Sequence, residues 1–178
     1  MGPFDELRTP RLLLRRWREE DKAPFAAMNA DPEVMRYFEA TLDEESSNAW
    51  VDVIEERFQS QGFGLWALQR RDGGDFIGFT GLNPLPAGVP GAGQMEIGWR
   101  LARTAWGHGY ATEAARAAAR VGLVEAGLPE LWSVTAVLNR PSQAVMRRIG
   151  LVRHVLFEHP RVPEGSPLRP HVAYRKPG

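Results

Sequence analysis

Trp106-Gly107-His108-Gly109-Tyr110-Ala111-Thr112-Glu113-Ala114 is a glycine-rich turn that runs into a helix, and its reading decides the fold. A strand-like run, Met95 to Leu101, precedes it, and an alanine-rich segment follows it to about Gly127. Two glycines one residue apart let the backbone approach an anion closely, because neither carries a Cβ. The helix behind them aims unpaired N–H groups and a partial positive charge at the same point. Strand, turn and helix together make a phosphate cradle. It is not a P-loop, because the string G-x-x-x-x-G-K-[ST] is absent. A dinucleotide fingerprint, G-x-G-x-x-G, is weakened by Thr112 at the third glycine position and by hairpins upstream where that fold wants parallel βαβ units. Glu130 still lies where a ribose-binding acid would sit, so this reading stays open.

Working outward, the elements alternate without a repeat. Arg11 to Trp17 reads as a strand, Glu19 to Asn29 as a helix, and Asp31-Pro32-Glu33 opens a short helical turn through Tyr37. Thr41-Leu42-Asp43-Glu44 reads as a capping box for a helix carrying Trp50, Val53, Ile54, Arg57 and Phe58 on one face and ending near Gly62. Gly64 to Gln69 and Phe76 to Leu82 look like strands joined by a tight turn at Asp72-Gly73-Gly74. Leu131 to Leu138 is a strand, Pro141 to Ile149 a short helix stopped by Gly150, and Leu151 to Glu158 and His171 to Arg175 are the last strands. Hairpins first and βαβ units later predict an α+β (mixed α/β) fold, a mixed sheet flanked by helices.

Composition removes several classes of function. With 178 residues, 43% of them hydrophobic, the chain can build one domain with a real core. A formal net charge of zero lacks the basic excess of a nucleic-acid-binding surface. The chain has no cysteine, which excludes disulfides, thiolate metal sites and a cysteine nucleophile. No apolar run reaches the roughly 18–20 residues of a membrane span, and the start of the chain has no apolar signal-peptide core. A single domain over residues 1–178, cytoplasmic, with no membrane or nucleic-acid partner, is the expectation. His154, His159 and His171 show no metal-ligand spacing, and Ser166 lacks the G-x-S-x-G elbow of a serine hydrolase.

The glycine turn is followed by Asn139-Arg-Pro-Ser142-Gln-Ala-Val-Met146-Arg-Arg-Ile-Gly150-Leu. With Thr9-Pro-Arg-Leu-Leu-Leu-Arg, Asp31-Pro-Glu-Val-Met-Arg-Tyr37 and Glu96-Ile-Gly-Trp-Arg-Leu101, these strings in this order resemble the GNAT superfamily of acyl-CoA-dependent N-acetyltransferases. The nearer resemblance is to its RimJ/RimL-type branch, which acetylates ribosomal-protein N-termini. It implies a central, mostly antiparallel sheet of about seven strands with about four helices, splayed between the fourth and fifth strands. It implies acetyl-CoA as co-substrate, no metal, and a chain that is a monomer or homodimer. The backbone of Trp106, Gly107, His108, Gly109, Tyr110, Ala111 and Thr112 would hold the CoA pyrophosphate. The strand edge at Trp99, Arg100 and Leu101 would pair with the pantetheine arm. Asn139 would hydrogen-bond that arm, and Ser142 would cap the helix or contact the cofactor. Arg103, Arg147 and Arg148 are basic candidates for the CoA phosphates.

Acetyl transfer from a thioester to an amine needs a neutral amine. A lysine-like amine is only on the order of 0.1% neutral at pH 7, an α-amine roughly 10%. A general base, acting directly or through water, therefore helps. Glu96 is the candidate, with Ile97 and Trp99 on the opposite strand face by the period-two rule. A backbone N–H near Trp99 would meet the oxyanion. Two positions depart from the family pattern: Thr104 stands where Gln or Arg is usual, and Met146 stands where many members carry a proton-donating tyrosine. Neither Tyr110 nor Tyr174 is assigned that role. The missing tyrosine keeps a second reading open, a non-catalytic acyl-CoA-binding or sensing domain. The acceptor is expected between Asp31 to Trp50 and the loop Pro160 to Pro170, bordered by Trp50 and Trp66, with Asp43, Glu44 and Glu45 able to attract a cation. A protein N-terminus or a small amine both fit.

Overall fold

The computed structural model describes residues 2–178. In chain order it contains β1 (Glu6–Arg8), β2 (Leu12–Arg15), α1 (Lys22–Ala30), α2 (Glu44–Gln61), β3 (Leu65–Arg70), β4 (Phe76–Pro84), β5 (Met95–Leu101), α3 (Tyr110–Arg120), β6 (Glu130–Ala136), α4 (Arg140–Arg148), β7 (Val152–Glu158) and β8 (Pro170–Pro177). The strands form one sheet in the order β1-β2-β3-β4-β5-β6-β8-β7, with every neighbouring pair antiparallel except β5 and β6. The α+β fold with its mostly antiparallel sheet is therefore present, with eight strands instead of seven. The extra strand, β1, is three residues long, too short for alternation to register in the sequence.

Each face of the sheet takes its own helices. Leu12, Leu14, Trp66, Leu68, Leu82 and Ile97 are buried on the face that α3 covers with Ala114, Ala115 and Ala118. Alanines let that helix lie close, and a π-turn over Val121–Glu125 ends it with Gly122 packed against Leu82. On the other face α1 and α2 bring Phe25 and Trp50 to 6.0 and 5.2 Å from the Phe79 ring. Offset and edge-on aromatic contacts at such distances add to the burial of the rings.

Local expectations shift in three places. Asp43, not Thr41, caps α2, its Oδ1 accepting the Ser46 N–H at 2.8 Å, because the helix starts two residues later than the capping-box pattern places it. That register buries Val51 and leaves Val53 40% exposed, so Val53 is not on the core stripe. Asp31 to Tyr37 forms turns without a helix, held by Met35 N–H to Asp31 C=O at 3.0 Å. No helix among the described residues is long and apolar enough to cross a membrane.

The strands that matter most are β5 and β6. They pair only at Met95–Leu131 and Glu96–Trp132 and then part, so the rest of the β5 edge has no strand beside it. This is the expected splay.

Candidate active site

A cleft of about 1380 Å³ opens where β5 and β6 part, and it is lined from both faces of the sheet. Glu96 sits at the fork. It pairs across with Asn83 on β4, and its Oε1 accepts the Val134 N–H of β6 at 3.3 Å. Loss of water around the carboxyl outweighs that bond and pushes its pKa from 4.5 up to about 7. The neighbouring backbone is tied off selectively. Ser133 Oγ donates to Ile97 C=O at 2.8 Å, and Trp106 Nε1 donates to Leu101 C=O at 2.9 Å. Backbone groups alternate sides along a strand, so Trp99, between those two, also turns its N–H and C=O toward the cleft. On that side, away from β4, this stretch of β5 has no strand partner.

Next along the chain comes the glycine turn. Gly107 and Gly109 both have φ of 79°, a left-handed conformation that residues with a Cβ resist. A Cβ at Gly107 would meet nothing within 4 Å, so backbone conformation, not crowding, calls for glycine there. Gly109 caps α3 without any side-chain hydrogen bond, leaving the first N–H groups of the helix free. Glu113, in that first turn, braces the cradle from behind. It accepts Thr9 Oγ1 at 2.7 Å, the Arg11 N–H at 2.9 Å and Arg11 Nε at 2.6 Å. Burial alone would raise its pKa, but these hydrogen bonds outweigh burial and hold the carboxyl below its ordinary value. Arg11 Nη1 in turn holds the His108 carbonyl at 2.9 Å, and its guanidinium lies 4.7 Å from the Tyr110 ring centre.

Twelve of the thirteen residues singled out in the sequence line this cleft: Glu96, Trp99, Arg100, Leu101, Trp106, Gly107, Gly109, Tyr110, Ala111, Thr112, Asn139 and Ser142. His108 does not line it; its exposed ring stacks on Tyr110 at 5.4 Å, and its carbonyl is turned to Arg11. The cap of α4 is Asn139, whose Oδ1 accepts the Ser142 N–H at 3.2 Å while its Nδ2 donates to Thr135 Oγ1 at 2.9 Å. One Nδ2 hydrogen of Asn139 is left for a further partner. Met146 lies in the wall with 1% of its surface exposed. Among the basic candidates only Arg148 lines the cleft; Arg103 stands 3.8 Å from Asp31, and Arg147 Nη1 bonds Tyr174 Oη at 3.3 Å. Arg8, Arg11, Arg116 and Arg120 also line it, and the sequence reading did not assign them a site role.

At the other mouth the wall is Val34, Tyr37, Phe38, Trp50 and Phe79. The loop Pro160 to Pro170 does not line the cleft; its Ser166 Oγ donates to Glu39, next to Phe38, at 2.8 Å. Trp66 is fully buried in the core, and Asp43, Glu44 and Glu45 lie outside the cleft because α2 turns its first turn to solvent. No group of three or more side chains able to hold a metal ion occurs among the described residues.

A strand edge freed by a splay, with an uncapped glycine turn directly after it, suits one class of molecule, an acyl-CoA-dependent acyltransferase. The amides of a pantetheine chain can lie along such an edge while the phosphates meet the turn. Residues 11–152 match the acetyltransferase (GNAT) domain, and the chain belongs to this family of N-acetyltransferases. It is 32% identical over 152 residues to YkkB, an uncharacterized protein of Bacillus subtilis strain 168, covering 85% of this chain and 87% of that one. An acetyltransferase from Agrobacterium tumefaciens superposes with a TM-score of 0.79 at 29% identity, over 97% of this chain and 94% of the other. RimL, a ribosomal L7/L12 α-N-protein acetyltransferase solved with coenzyme A, shares the fold with a TM-score of 0.77 at 15% identity, over 95% of each chain. The dinucleotide reading of the turn closes here.

Proposed function

We propose that the cleft transfers an acetyl group from acetyl-CoA to a primary amine by direct attack, with both substrates bound together and Glu96 as general base. The observation that carries this reading is a carboxyl of pKa about 7 at the point where β5 and β6 part. A base with that pKa is half ionised near neutral pH, which is where proton removal from an amine is most effective. Acetyl-CoA supplies an acyl group activated as a thioester. The chain's own residues do the rest. Gly107, Gly109 and the first turn of α3 offer N–H groups to the pyrophosphate, with Arg11, Arg116, Arg120 and Arg148 around them. The free edge at Trp99 receives the pantetheine arm, and its N–H is the donor placed for charge developing on the acyl oxygen. Glu96 takes the amine proton directly or through one water.

No tyrosine stands at Met146, so the leaving thiolate takes its proton from water; a thiol of pKa near 8.5 leaves without much help. The RimJ/RimL-type resemblance supports a protein N-terminus as one acceptor class, and the aromatic lining of Phe38, Trp50 and Phe79 supports a small amine as another. The test is amine-dependent release of free CoA from acetyl-CoA across a panel of amines and N-terminal peptides. Turnover that drops by 100-fold or more in Glu96→Gln supports the proposal. CoA binding with no turnover of any amine overturns it in favour of a non-catalytic acyl-CoA-binding domain.

A further inference from the structure

Arg100 follows Glu96 by four residues on β5, on the same strand face, about 13 Å along the strand. Both line the cleft. Three rings surround its guanidinium, with Phe38, Trp50 and Phe79 centred 4.4, 5.1 and 5.6 Å from Cζ. Its Nη1 donates to Asn29 Oδ1 at 2.7 Å, and Asn29 is itself fully buried and fixed by Nδ2 donation to Ser47 Oγ at 2.9 Å. The Nε–H is buried with no partner, and no carboxylate among the described residues reaches the guanidinium.

Arg15, a buried arginine, shows what the half-buried Arg100 lacks. Arg15 has 5% of its surface exposed, and it is matched by Asp21 through a two-pronged contact at 2.7 and 2.8 Å. A buried cation without such a counter-ion is costly, and packing against aromatic faces recovers only part of the loss. Burial accordingly lowers the Arg100 pKa to about 10, which still leaves it charged at neutral pH. The neutral Asn29 occupies one edge and leaves Nε and Nη2, the pair of parallel donors that a carboxylate accepts side-on.

We infer that Arg100 is a specificity residue that receives a carboxylate of the acceptor, so that the acceptor is a small amine also carrying a carboxylate, an amino acid in the broad sense. This rests on the acetyltransferase reading above. Glu96 faces the amine end and Arg100 the carboxylate end, with Gly98 between them on the same face of β5 and the three rings gathered at the Arg100 end.

The experiment compares matched pairs: α-amino acids, β-alanine and 4-aminobutyrate, each against its own carboxamide, with a polyamine as a further arm. The readout is acetyl-CoA-dependent thiol release; the chain has no cysteine, so the thiol reagent reports CoA alone. The expected result is a preference in kcat/KM for one or more acids over the carboxamide on the order of 100-fold. Arg100→Met abolishes that preference, Arg100→Lys restores part of it, and Asn29→Asp also abolishes it by supplying an internal carboxylate. Carboxamides or the polyamine used as well as the acids overturn the inference, as does a preference that survives Arg100→Met and Asn29→Asp. If no amine at all is acetylated, the proposed function falls. The carboxylate site is then judged by thermal unfolding of the CoA-loaded protein: acids that stabilise it more than their carboxamides, and not in Arg100→Met, uphold the site, and equal effects overturn it.

Discussion

Glu96→Gln should make the protein more stable and less active, and the stability gain should depend on pH. The carboxyl titrates at about 7 in the folded protein against 4.5 for an unperturbed group. Its folded value is raised, so its contribution to stability is fully present below about pH 4.5 and is lost as pH rises through about 7. The shift of roughly 2.5 units corresponds to about 3.4 kcal/mol between the two ends of that window. Gln keeps the shape and can still accept the Val134 N–H, but it never ionises. Relative to wild type, Glu96→Gln should therefore gain little at pH 4, about 1 kcal/mol at pH 5 and up to about 3 kcal/mol at pH 8. For a chain of this size that is a rise in melting temperature of several degrees at pH 8. The assay is urea unfolding of both proteins at pH 5 and pH 8, with the difference in midpoint as readout. A gain over wild type that is no larger at pH 8 than at pH 5 would refute the assignment of a raised pKa to Glu96, and with it the argument for a base poised near neutrality.

Two other perturbations address the cradle. Gly109→Val places a branched side chain at φ 79°, and it should cost about 1–3 kcal/mol of stability and weaken acetyl-CoA binding at least tenfold by calorimetry. Unchanged affinity would move the phosphates away from the turn. Glu113→Ala removes the acceptor shared by Thr9 and Arg11 and leaves Arg11 without its partner, so stability should fall by about 1–3 kcal/mol and acetyl-CoA affinity with it. Loss of stability with unaltered affinity would reduce Glu113 to a structural tie.

Much of this was legible before any coordinates, and the reasons differ by residue. The glycine turn was readable because Gly107 and Gly109 adopt a conformation that few other residues tolerate, so composition betrays geometry. Glu96 was readable because strand alternation places it opposite Ile97, which is fully buried. Its raised pKa was not, since that depends on β6 folding over it from 38 positions away. The brace from Thr9 and Arg11 to Glu113 spans about a hundred residues, and no local pattern signals such a contact. Both partners nevertheless lie inside the strings that carry the family resemblance. For Arg100 the sequence speaks only to its backbone on the strand edge; its missing counter-ion is a property of packing. The loop Pro160 to Pro170 does not line the cleft and meets the segment after Phe38 through Ser166 and Glu39, a contact 127 positions apart that no local pattern signals.

The central claim is that Glu96 takes the amine proton, and the pH dependence of kcat/KM tests it most directly. With an acceptor whose amine titrates above pH 9, the account predicts a logarithmic slope of one below about pH 7, where Glu96 must be ionised to take the proton of the bound ammonium, and a plateau from there up to the pKa of the amine. Glu96→Gln should show the amine's slope of one throughout. A slope of one across the whole range in the wild type, or a break near pH 7 that persists in Glu96→Gln, would contradict it.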